Sequence, residues 1–105
     1  MSEGRIIFFL TKIKDKSRRS EYETWVREVD VPTVMGWSCV SNYRVVRLEG
    51  EVFAGTPVPD YDYIEIMEVS DIDDYKKSLE MSPPELFESF TSHIGPFDAV
   101  IGTVV

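Results

Sequence analysis

The run Arg5-Ile-Ile-Phe-Phe-Leu-Thr-Lys-Ile13 sets the strongest condition on how this chain can fold. Successive side chains of a strand point to opposite faces. Ile7, Phe9, Thr11 and Ile13 therefore share one side, while Ile6, Phe8 and Leu10 share the other. Both sides are apolar, the pattern of a strand covered above and below. The β-branched and aromatic bias selects a strand over a buried helix of the same length. Such a strand needs material on both faces of its sheet. A chain of 105 residues forms a single domain, residues 1–105, with one modest core and not two.

Composition narrows the function classes. Hydrophobic content of 43% and charged content of 29% are those of an ordinary globular protein. No apolar run approaches the roughly 20 residues of a membrane span, and the N-terminal residues lack the pattern of a secretory signal. A cytoplasmic location is expected. Cys39 is the single cysteine, which excludes an intrachain disulfide and a Cys-based metal cluster. The net charge of −8, without a basic block, argues against nucleic acid as a partner. Neither a repeat nor a linker is visible.

After the first strand, Ser20 with Glu23 forms a capping-box pattern, with Ser17 as an alternative N-cap. Tyr22, Trp25, Val26 and Val29 follow at i, i+3, i+4 and i+7, one apolar helical stripe. Pro32 ends or kinks that helix, and Gly36 closes the segment. Residues 38–48 read as a second strand, whose Arg44 and Arg47 suit a sheet edge. Residues 50–60 form a long loop that carries the apolar Val52 and Phe53, as a lid or as an arm onto a partner. The third strand, 62–70, sets Ile64 and Ile66 against Tyr63, Glu65 and Met67. Asp71 caps a helix with Ile72, Tyr75 and Leu79 on its apolar side. Ser82-Pro83-Pro84-Glu85 starts another, with Ser82 as N-cap and Leu86, Phe87 and Phe90 inward. Gly95-Pro96 stops it, and 97–105 is the last strand.

Strand, helix, strand, strand, helix pair, strand is the order of a ferredoxin-like βαββαβ fold, an α+β class with a four-stranded antiparallel sheet. Right-handed crossovers place both helical segments on one side of that sheet. The second face of the first and last strands then lacks cover within the chain. Leaving each such side chain wet forgoes roughly 1.5–3 kcal/mol, so a two-fold dimer that packs sheet on sheet is expected.

The strands apolar on both sides, Trp25, the Pro32 to Gly36 turn and the third-strand run Tyr-Ile-Glu-Ile-Met-Glu together resemble the dimeric α+β barrel superfamily. Within it the chain is most similar to the RedY-like proteins of prodiginine and related pyrrole or indole pathways. The resemblance implies a homodimer with a pocket between sheet and helices in each protomer, working without metal or organic cofactor. It also implies a small aromatic metabolite of pyrrole or indole type as ligand, with a pathway enzyme as a further candidate partner. Cyclases of the superfamily use a His on or near the third strand. Here that strand has Tyr61 and Tyr63 and no His, so their mechanism does not carry over. The haem-degrading branch uses an axial His in the helical layer, and His93 has no motif matching it.

His93, the sole histidine, continues the inward stripe of the last helix beyond Leu86 and Phe90. It is a candidate general acid/base; the plainer alternative is a helix-capping histidine bonded to a carbonyl. Glu65, between Tyr63 and Met67, must be paired or protonated if its face is buried. It is a candidate to orient His93 or to hold a proton, against an interface salt bridge with Arg44 or Arg47. Tyr22, Trp25, Trp37, Tyr43 and Tyr63 offer walls for a flat heteroaromatic ligand, and Phe53 offers a lid. Asp73 and Asp74 read as a solvated surface and not a metal site. The reading is a cofactor-free protein of secondary metabolism that moves a proton in a hydrolysis, dehydration or condensation. A non-catalytic binding protein and a cofactor-free monooxygenase stay open beside it.

Overall fold

The computed structural model describes residues 4–105. Arg5–Thr11 forms β1, and Val40–Arg47, Tyr63–Val69 and Asp98–Thr103 form β2, β3 and β4. Their order across the sheet is β2-β3-β1-β4, and each neighbouring pair is antiparallel. This is the ferredoxin-like α+β arrangement expected from the element order. β2 is an edge strand, as its arginines suggested. An irregularity between Val40 and Asn42 lets both Cys39 and Val40 turn into the core.

The first helical segment departs from the simple periodic reading. Asp15 accepts from the Ser17 amide at 3.0 Å and starts a 3₁₀ turn, Lys16–Arg18. That turn runs straight into α1 (Arg19–Trp25), so the amides are capped before Ser20, which sits within the helix. A π-helical turn follows at Val26–Asp30, and α2 (Val31–Met35) completes the segment. Pro32 lies in the first turn of α2. It has no N–H to donate, and the widened turn before it accommodates the break in the α ladder. The helix therefore continues through Pro32 to Met35. The wide turn also rotates the stripe. Val29 is 42% exposed, whereas Asp30 is 6% exposed, so the buried positions run Tyr22, Val26, Asp30, Val34.

α3 (Ile72–Met81) begins as expected, with Asp71 accepting from the amides of Asp73 and Asp74. α4 (Pro84–His93) begins at Pro84. Ser82 is not its N-cap; the Ser82 hydroxyl donates back to the Leu79 carbonyl at 2.6 Å and finishes α3 instead.

Buried side chains form two clusters on the helical side, one around Ile7, Tyr43 and Met67 and one around Tyr22, Tyr63 and Phe90. Phe9 packs against both. On the other face, Phe8 sits between Ile66 and Val100, and Leu10 beside Ile64. Ile6, Phe8, Leu10, Ile64 and Ile66 are half-buried, and Val46 and Val100 are exposed. This apolar face centres on β1 and β3. The last strand contributes mainly Val100, because its other positions on that face are Asp98 and Gly102, while Phe97 stacks on Phe9 on the helical side. Among the described residues, no helix is long and apolar enough to cross a membrane.

Candidate functional site

Strand alternation turns Glu65 inward between Tyr63 and Met67, and Phe9 is its cross-strand neighbour on β1. Tyr43 comes inward from β2, and the π turn delivers Asp30 from the helical layer. These three meet. The Tyr43 hydroxyl lies 2.6 Å from Asp30 Oδ2 and 2.8 Å from Glu65 Oε1. Glu65 is 3% exposed, and its second oxygen, Oε2, has no hydrogen-bond partner among the described residues.

Burial sets the protonation of this row. It pushes Glu65 up to about 8, and the nearby Asp30 charge adds to the rise while the Tyr43 hydrogen bond opposes it. Burial also raises Asp30, to about 6, again against the Tyr43 hydrogen bond. Burial and both carboxylates hold the Tyr43 phenol well above its ordinary range. Burial and mutual repulsion therefore both disfavour two charges in the row, with Glu65 the more strongly raised of the two acids.

The row forms part of the wall of a cleft of about 110 Å³ between sheet and helices. Trp37, Tyr75, Phe90 and Phe97 supply aromatic walls, and the more exposed Leu79 and Phe87 form the rim. An apolar cleft with a few convergent polar groups is the common form of a small-molecule site.

Glu65, Tyr43 and Trp37 are brought together here; the other sequence candidates lie elsewhere. Tyr22 is wholly buried, with its ring 5.0 Å from Tyr63 and 5.5 Å from His93. Trp25 stacks on His93 at 6.0 Å. Tyr63 donates to Glu23 at 2.7 Å and accepts from Arg19 at 3.1 Å, a bracing contact between β3 and α1. Phe53 is 71% exposed in the loop and does not line the cleft. His93 donates from Nδ1 to the Ser89 carbonyl at 2.9 Å, the capping arrangement. It opens on a separate cavity beside Lys14, Asp15 and Arg18, so it does not orient Glu65. Glu65 also has no arginine partner: Arg47 pairs with Glu23 at 3.0 Å, and Arg44 is exposed.

Asp30 is the member of the site that periodicity misses. An unbroken 3.6-residue repeat points Val29 inward, and only Pro32 hints that the register slips. Among the described residues, no group of three or more His, Cys, Asp or Glu side chains is placed to hold a metal ion.

A family model described as REDY-like protein HapK matches residues 5–105. Among solved structures, HapK from Hahella chejuensis is similar with a TM-score of 0.77 at 21% identity, covering 96% of this chain and 92% of that one. SnoaB, a cofactor-independent oxygenase from Streptomyces nogalater, gives 0.70 at 11% identity, covering 99% and 95%. A dimeric ferredoxin-like protein of unknown function from Thermobifida fusca gives 0.65 at 15% identity, covering 99% and 93%. At these identities the likeness is one of fold. No curated protein matches the sequence significantly.

Proposed function

The chain belongs to the REDY-like HapK family, and from that premise we propose that it is a cofactor-independent protein of secondary metabolism. It takes a small aromatic intermediate of pyrrole or indole type into the cleft and moves a proton there, with Glu65 as the acid/base group. The observation that carries this reading is a buried carboxyl with one unpartnered oxygen beside an aromatic-walled cleft. Burial raises the pKa of such a group towards neutrality, the range in which acid–base catalysis is most effective. Hydrolysis, dehydration and condensation all need a proton moved at one atom of a flat substrate. The working unit is a homodimer joined through the open sheet face, in keeping with the dimeric description of the Thermobifida fusca protein.

A second reading follows from the likeness to SnoaB, described as a cofactor-independent oxygenase. In it the same carboxyl takes a proton from an electron-rich ring, and the ring itself reacts with oxygen. Incubation with pyrrole and indole intermediates, followed by mass spectrometry, separates these readings. Turnover without oxygen that falls at least 100-fold in Glu65→Gln supports acid/base catalysis. Product formed only in air supports the oxygenase. Tight binding with no turnover by the wild type reduces the protein to a binding module.

A further inference from the structure

One hydroxyl cannot donate two hydrogen bonds. Tyr43 has a single proton, yet its oxygen sits within hydrogen-bond distance of two carboxyl oxygens. If both carboxyls were ionised, one of these contacts would set oxygen lone pairs against each other in a buried place. A second proton must therefore lie in the row, on one of the acids. The shorter contact, 2.6 Å to Asp30, has the length of a charge-assisted bond from a hydroxyl to a carboxylate. The second proton then belongs on Glu65 Oε1, donated to Tyr43 at 2.8 Å. That leaves Oε2 as the carbonyl oxygen of a neutral acid: buried, without a partner, and able only to accept.

We propose that Glu65 Oε2 is the acceptor for a ring N–H of a flat heteroaromatic ligand, and that Tyr43 and Asp30 relay a proton away from it. This deepens the acid/base reading above and rests on the same cleft. The aromatic walls select a flat ring, and the partnerless Oε2 beside them selects a donor on its edge. When the bound ring gives up its N–H proton, the bonding pair stays on the ring and Oε2 takes the proton. Oε1 passes its own proton to the Tyr43 oxygen, and Tyr43 passes its proton to Asp30 Oδ2. Glu65 and Tyr43 end as they began, apart from which oxygen holds the proton, and Asp30 ends neutral. Burial keeps the phenols of Tyr22 and Tyr75 protonated, so neither competes as a terminus.

Two measurements on the full chain test this. Infrared spectroscopy at pH 7 is expected to show the carbonyl band of a buried protonated carboxyl, absent in Glu65→Gln and titrating at lower pH in Asp30→Asn. No such band, or a titration unmoved by Asp30→Asn, overturns the proton count or the coupling. Calorimetric titration with indole and with benzofuran, which replaces the N–H by an oxygen of similar size, is expected to favour indole at least 10-fold. Glu65→Gln should keep that preference, because its amide nitrogen can donate to Tyr43 while its oxygen accepts. Glu65→Leu should abolish it. Equal binding of the two rings to the wild type, or no binding of indole, overturns the ligand assignment. Neither measurement needs turnover, so absent catalysis would defeat the acid/base reading and leave these results to stand by themselves.

Discussion

At the residue scale, Glu65 is a carboxyl that burial pushes towards its neutral form. Its folded pKa of about 8 against a reference of 4.5 means that the native state holds more protons than the unfolded state between those values. Stability is then greatest below about pH 4.5 as far as this group is concerned, and declines as pH rises towards 8. Asp30, raised from 3.8 to about 6, acts in the same direction at lower pH. The melting temperature should therefore fall between pH 6 and 8, and Glu65→Gln should flatten that slope; thermal scans across the range check it. Tyr43→Phe removes the group both carboxyls share. It should cost about 1–3 kcal/mol in urea titrations through unsatisfied buried polar atoms, and it should also cut any proton-transfer rate.

At the element scale, the π turn decides what the helical layer offers the cleft. An α-helix of unbroken period would centre Val29 on the buried stripe and put Asp30 at its flank. The turn reverses the two. Val29→Ser should change stability by no more than about 0.5 kcal/mol, as at ordinary surface sites. Val26→Ala, inside the core, should cost about 1–2 kcal/mol; denaturant melts of both variants compare them. The strands were legible because alternation is local: Glu65, Tyr43 and Phe9 could be assigned faces from neighbouring residues alone. Cap positions were less legible. Asp15 caps the first segment ahead of Ser20, and Ser82 closes α3 instead of opening α4; which backbone group a side chain meets depends on where the preceding segment delivers the chain. His93 was correctly placed inward, but a helix stripe does not say which of two adjacent cavities a side chain joins.

At the scale of the whole molecule, the face built on Ile6, Phe8, Leu10, Ile64 and Ile66 is the unfinished part of the protomer. Its residues lie side by side across β3 and β1, a contiguous apolar patch of the kind that marks an interface. Light scattering at micromolar concentration should give the mass of two chains. Phe8→Asp, which puts a charge at the centre of the patch, should give a monomer that keeps the helical-side cleft. A monomeric wild type would remove the dimer from the proposal without touching the chemistry of Glu65. The exposed Val52 and Phe53 lie off the cleft of their own protomer, which leaves the loop free to reach a second copy.

The sequence alone determined which residues of each strand share a face, the one-sided helical cover and the place of Glu65 beside Tyr63 and Met67, because each follows from spacing between near neighbours. Only the tertiary structure decided that Asp30, Tyr43 and Glu65 touch. Those residues come from a helical turn and two strands, and their meeting depends on a register slip in the helix and on how the layers pack, which short-range periodicity does not encode.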